Sequence, residues 1–190
     1  MKETELRRSM ESIPKAFFTL SDLEKITGLD RRSLSVSLNR LVNRGVLVNI
    51  RRNSYILADE PVRLEAIAGQ IYFPSYLSFE SALSRSGVLN LVPYSLVFAT
   101  VRKTRSMTIL ERRVEYRHLK ENLYFGFREG DGFYMAEPEK ALLDLLYLAS
   151  FGKARVPYEE LDLKSLSAKT LDKYVVRFPP RVGEALERLR

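Results

Sequence analysis

The side chains best placed for chemistry in this 190-residue chain are cationic and hydroxylic. The stretch "DRRSLSVSLNR" offers Arg31, Arg32, Ser33, Ser35, Asn39 and Arg40 within eleven residues, and Arg51, Arg52 and Asn53 follow as a triplet. A guanidinium is a planar fork of donors that fits phosphate oxygens or the O6/N7 edge of guanine, and an asparagine amide fits the N6/N7 edge of adenine. Serines are short and let a backbone approach a duplex closely. The chemistry implied is recognition of nucleic acid, with no bond made or broken.

Other reactive constellations are weaker. Glu137, Glu139 and Asp144 are the carboxylates worth weighing as a metal or acid–base site. On a helix, however, positions 137 and 144 stand about two turns apart. The first-turn acids already complement the helix dipole, and Asp144 is four residues from Lys140, the spacing of a local ion pair. His118 is the single histidine and has no acid placed beside it, so a structural role is expected. There is no cysteine, which excludes disulfides and thiolate metal sites. Gly126, Gly130 and Gly132 suit turns rather than a phosphate cradle. No catalytic residue, metal or cofactor is expected, and the chain is read as a binding protein rather than an enzyme.

The elements that must hold the basic residues can be read around them. A helix is expected from Thr4 to Ser12, stopped by Pro14, and "AFFT" suits a short strand. Ser21 and Glu24 have capping-box spacing and open a short helix that ends at Gly28. Asp30 caps a second helix, Arg31–Arg44, closed by Gly45; Leu34, Leu38, Leu41 and Val42 recur on its inner face. Val46–Ile50 and Ser54–Leu57 read as two strands with Arg51-Arg52-Asn53 at the bend. Helix, short helix, turn, helix and ribbon is the order of a winged helix-turn-helix. Its second helix presents its N-terminal part to a major groove, and the ribbon tip lies on neighbouring phosphates or in the minor groove. The competing reading is a solvated outer face on an ordinary helical hairpin.

Charge supports the first reading. The net charge is +7, and residues 1–58 hold 11 basic against 6 acidic side chains, leaving 20 against 18 for the rest. A basic first module points to nucleic acid or an acidic partner. Asp59-Glu60-Pro61 marks a boundary, giving expected domains 1–58 (DNA-binding) and 59–190 (α+β). In the second domain "PSYLSFESALSRSG" suggests a helix ending at Gly87. "YSLVFATV", "SMTIL", "RRVEYRHL", "NLYFGFRE" and "GFYMA" suggest strands, with a turn at Gly130-Asp131-Gly132. "EPEKALLDLLYLASFG" is a strongly apolar helix, and the tail suggests two short helices parted by Pro179-Pro180. Tyr124, Phe125, Phe127, Phe133 and Tyr134 are expected in a hairpin, as core. Arg102, Lys103, Arg105, Arg112, Arg113 and Arg117 form a possible second basic patch if the strands turn them to one face. No apolar run is long enough to span a membrane, and the first residues hold no secretory core; a cytoplasmic address is expected.

"YLSFESAL" (Tyr76–Leu83) and "AEPEKALLDLLYL" (Ala136–Leu148), with "RRNSYIL" before them, resemble the signature stretches of AbiEi-type antitoxins. The likeness extends in order and spacing from about Phe17 to Leu148. Ser54 stands where that family often has glycine, and Arg85-Ser86-Gly87-Val88 where it often has His-Gly-Leu. The resemblance implies an N-terminal winged helix-turn-helix followed by a C-terminal mixed α/β antitoxin domain. It implies an autorepressor that binds double-stranded DNA at its own promoter and counteracts a nucleotidyltransferase toxin, without a stable toxin complex. The alternatives left open are a DNA-binding regulator with a ligand-sensing or dimerising second domain and no toxin partner, and an enzyme with the first module as a docking unit.

Overall fold

A computed structural model describes residues 2–189; Met1 and Arg190, the outer ends of the two expected domains, lie outside the described residues. The chain is mixed α+β and divides into two compact units, one ending at Ile67 and the other beginning at Ala68. Among the described residues no helix is long and apolar enough to cross a membrane.

The first unit runs α1 (Glu3–Glu11), β1 (Phe18–Thr19), α2 (Leu20–Thr27), α3 (Arg31–Asn43), β2 (Leu47–Arg51) and β3 (Ser54–Leu57). The three strands make one antiparallel sheet in the order β1-β3-β2. Its core joins Leu6 and Met10 of α1, Leu20 and Leu23 of α2, and Leu34, Leu38 and Leu41 of α3 with Leu47, Tyr55 and Leu57 of the sheet. These positions recur at three- and four-residue steps along α3, so one stripe of the helix is buried and the rest faces water.

One sequence expectation is corrected at α2. The capping box is built by Thr19 and Asp22, not by Ser21 and Glu24: the Asp22 amide donates to Thr19 Oγ1 at 3.2 Å and the Thr19 amide to Asp22 Oδ2 at 2.9 Å. Both pairs have the right spacing, but Leu20 enters the core, and the helix starts two residues earlier. Thr19→Ala should therefore cost about 1 kcal/mol in urea denaturation, while Ser21→Ala, at an exposed position, should change little. Equal losses for the two would return the cap to Ser21.

The second unit carries a six-stranded mixed sheet in the order β6-β7-β5-β4-β9-β8. After α4 (Leu64–Ile71), which spans the division between units, come β4 (Ser75–Leu77), α5 (Phe79–Arg85), β5 (Leu96–Thr100), β6 (Arg105–Ile109), β7 (Arg112–His118), β8 (Phe127–Gly130), β9 (Phe133–Ala136) and α6 (Pro138–Ala149). One short 3-10 turn lies between β7 and β8 and two lie after α6, followed by α7 (Ala168–Val175) and α8 (Pro180–Glu187). β4 is parallel to β9 and antiparallel to β5, and β5 is parallel to β7. The stretch read as one helix at "PSYLSFESALSRSG" is thus a strand followed by a helix. β4 is buried on both faces, which removes the alternation that would have revealed it. Phe79, wholly buried, takes φ 51° at the sharp passage from β4 into α5. Tyr124 and Phe125 precede β8 instead of lying in the hairpin, yet both pack against the core, with Tyr124 5.1 Å from the Tyr76 ring.

α6 is buried along nearly its whole length. Lys140 and Asp144 are fully buried upon it and form the i,i+4 pair expected from their spacing. The pair is not alone. Lys140 Nζ donates to Tyr76 Oη at 2.9 Å, and Asp144 Oδ2 accepts from Tyr76 Oη at 2.9 Å and from Ser78 Oγ at 2.8 Å. Burial pushes the Asp144 carboxyl up and the Lys140 ammonium down, while their mutual attraction and the two hydroxyls work against that shift. Burial also drives the Tyr76 hydroxyl well above its ordinary value, so it stays a donor. Gly126 lies over the Lys140 stem at φ +70°: a Cβ there would come 3.1 Å from Lys140 Cγ. Tyr76–Leu83 and Ala136–Leu148 therefore meet in one buried polar knot.

Candidate nucleic-acid interface

α3 starts where the Asp30 carboxylate accepts from the amides of Arg32 and Ser33, at 3.0 and 3.1 Å. The Ser33 hydroxyl, together with those amide bonds, holds the Asp30 carboxyl below its usual range. Gly28, at φ +67°, ends α2 in the left-handed conformation and turns the chain between the helices. With Leu34, Leu38 and Leu41 buried, the helix shows Arg32, Val36, Asn39, Arg40 and Asn43 to water, and Arg31 and Ser33 are exposed at its start. Val36, 49% exposed, puts an apolar group in the middle of this strip. Ser35 is less available than its type suggested, because its hydroxyl donates to the Arg31 carbonyl at 2.8 Å.

The ribbon tip is also defined. Arg51 is the last residue of β2, after a register shift between Asn49 and Arg51, and Arg52 and Asn53 form the bend. Asn53 takes φ 59°, a left-handed geometry that asparagine tolerates, and its carbonyl accepts from the Leu20 amide at 3.0 Å. That bond ties the tip to the head of α2. Arg51, Arg52 and Asn53 are all exposed.

Charge is distributed unevenly within the unit. Arg7 pairs with Asp59, Lys15 with Asp22 at 2.7 Å, and Arg44 with Glu3 at 3.1 Å. Arg31, Arg32, Arg40, Arg51 and Arg52 enter no ion pair among the described residues. Exposed guanidiniums left uncompensated on α3 and the ribbon can exchange hydration for phosphate contacts without first breaking internal pairs.

The six cations of the possible second patch do not share a face. Along β7, Arg113 and Arg117 alternate with the buried Val114 and Tyr116, whereas Arg105 stands opposite Tyr116 in the register and so shares the Tyr116 side. Arg117 is spent on Glu80 at 2.9 Å and Glu115 at 3.3 Å, and Arg113 on Glu115 at 2.9 Å. Arg102 lies 4.2 Å from the Tyr72 ring centre and donates to the Phe73 carbonyl at 3.0 Å. What the sheet does bring together is a half-open hollow of about 720 Å³, lined in part by Arg102, Lys103, Arg117, His118 and Lys153. His118 has a partner the sequence did not disclose: its Nδ1 lies 3.0 Å from the Arg102 carbonyl. Lys153 follows α6 and carries no local sequence signal for this place.

The three carboxylates weighed as a site do not converge. Asp144 belongs to the buried knot, Glu139 accepts from the Ser167 amide at 2.8 Å, and Glu137 accepts from Tyr174 Oη at 2.5 Å and Arg128 Nε at 2.8 Å. The Tyr174 and Arg128 bonds hold the Glu137 carboxyl low, and the same contact raises Tyr174 to about 12. No family model matches this chain, and no curated protein matches it.

Proposed function

We propose that the first unit is a winged helix-turn-helix that binds double-stranded DNA, and that the protein is an AbiEi-like antitoxin repressing its own promoter. The observation that carries this reading is the set of five exposed arginines on α3 and the ribbon, in no ion pair among the described residues, on a helix whose opposite stripe is locked into a core. α3 enters the major groove, where Arg32, Asn39 and Arg40 meet base edges and Val36 suits a thymine methyl. Arg31 and Ser33 meet phosphates at the helix start. Arg51, Arg52 and Asn53 add affinity along the backbone or in the minor groove, with little sequence preference of their own. The second unit supplies the antitoxic activity against a nucleotidyltransferase, without a lasting complex, and the family likeness of Tyr76–Leu83 and Ala136–Leu148 supports that part.

The test is anisotropy of the full chain on duplex DNA from upstream of its own reading frame, beside an unrelated duplex, over a salt series. The expected result is tighter binding to the first. Arg51→Ala with Arg52→Ala should weaken both duplexes alike and flatten the log–log salt slope by about two. An unchanged slope removes the ribbon from the interface, and equal affinity for both duplexes removes promoter reading. Co-expression with a neighbouring nucleotidyltransferase frame tests the antitoxin half: growth should be restored. A second reading, a regulator that senses a small ligand and has no toxin partner, is favoured by the basic hollow of the second unit.

A further inference from the structure

The hollow beside β7 has features of a built anion site. Four cations and one carboxylate line it, and the carboxylate, Glu115, is already matched by Arg113 and Arg117. Arg117 is matched in turn by Glu80. Arg102, Lys103 and Lys153 enter no ion pair among the described residues; Arg102 is held by the Phe73 carbonyl and the Tyr72 ring, which leaves Lys103 and Lys153 as the cations with no side-chain contact of that kind there. Two ammonium groups lining one concave surface are point charges that suit a phosphate.

The loop that carries Lys103 is held in place from several directions. Tyr72 Oη donates to the Lys103 carbonyl at 2.9 Å, Arg102 Nη1 to the Phe73 carbonyl at 3.0 Å, and the Arg102 amide to Thr100 Oγ1 at 3.1 Å. The His118 amide donates to Thr104 Oγ1 at 3.2 Å. Because a carbonyl only accepts, the His118 contact with the Arg102 carbonyl places the proton on Nδ1 and leaves Nε2 as the ring's second polar atom. An exposed loop fixed by five contacts while its lysine stays free has already lost the entropy that binding would otherwise cost. Val101 and Leu148 add an apolar wall, and a volume of about 720 Å³ lies in the range of small-molecule pockets.

We infer that this hollow binds a phosphate monoester of nucleotide size, its phosphate between Lys103 and Lys153 beside His118, and its apolar or planar body against Val101 and Leu148. The inference is independent of DNA binding by the first unit. The experiment is calorimetric titration of the full chain with adenosine 5′-monophosphate, adenosine, inorganic phosphate and a short single-stranded oligonucleotide. The monophosphate should bind, adenosine should not, and inorganic phosphate should bind more weakly than the monophosphate. Lys103→Gln with Lys153→Gln should lower the affinity at least tenfold. Arg112→Gln, an exposed cation on the same sheet outside the hollow, should leave it unchanged, with near-UV dichroism confirming both folds. Several results would overturn the site: no binding of the monophosphate, equal losses in the two variants, equal affinity for adenosine, or inorganic phosphate as tight as the monophosphate. Binding of the oligonucleotide alone would overturn it too, and would assign the lysines to a nucleic-acid strand.

Discussion

Asp144→Ala should destabilise the second unit by about 3–5 kcal/mol, the scale on which removing one partner of a buried pair leaves the other charge stranded. Three groups lose their acceptor together: Lys140 Nζ, Tyr76 Oη and Ser78 Oγ all donate to that carboxylate, and Lys140 and Asp144 have no solvent exposure. Replacing the pair alone, Lys140→Met with Asp144→Leu, should recover only part of the loss, because two buried hydroxyls remain unpartnered at about 1–3 kcal/mol each. Adding Tyr76→Phe and Ser78→Ala makes the pocket apolar throughout and should recover most of the stability. The measurement is urea denaturation followed by far-UV dichroism and tyrosine fluorescence, since the chain has no tryptophan. A midpoint for Asp144→Ala within experimental error of the parent chain would show that the knot does not hold this unit together.

Leu38→Ala is the second large effect. Leu38 has no exposed surface and sits in the middle of the inner stripe of α3, between Leu34 and Leu41. Truncating a buried leucine costs about 2–5 kcal/mol through lost transfer free energy and the cavity left behind. A unit of this size has little stability to spare. Amide exchange in α2 and α3 should accelerate, and duplex binding at 37 °C should fall although every arginine is retained. The contrast with the ribbon variant separates the two causes. Arg51→Ala with Arg52→Ala loses affinity with the fold intact, so its deficit shrinks as salt rises, while the Leu38→Ala deficit grows with temperature. If Leu38→Ala melts the helices and DNA binding survives, α3 is not the element that meets the duplex.

What sequence patterns revealed depended on how local the cause was. α3 was legible because the Asp30 cap, the three leucines and the exposed strip all lie within fourteen residues. The Lys140–Asp144 pair was legible for the same reason, being one helical turn in length. Tyr76 and Ser78 were not, because their partner is 68 and 66 residues away and the contact exists only through the sheet order. β4 escaped notice because a central strand has no wet face to mark its period. Arg102, Lys103 and Lys153 gather around one hollow only after β5, β7 and α6 have been laid side by side. The condition for a second basic patch, one shared sheet face, is not met at β7, where alternate residues go to opposite sides.

The order β6-β7-β5-β4-β9-β8 also bears on how the second unit is completed during synthesis. β4 is the first of its six strands to be made and sits inside the sheet, yet its neighbour β9 is the last to be made. Leu77 pairs with Met135, and Tyr76 and Ser78 wait for Asp144. A nascent chain halted before β9 leaves one edge of β4 unpaired, and one halted before α6 leaves the Tyr76 and Ser78 hydroxyls without Asp144, so closure comes late. Such a chain is a ready target for proteases until its final third has left the ribosome.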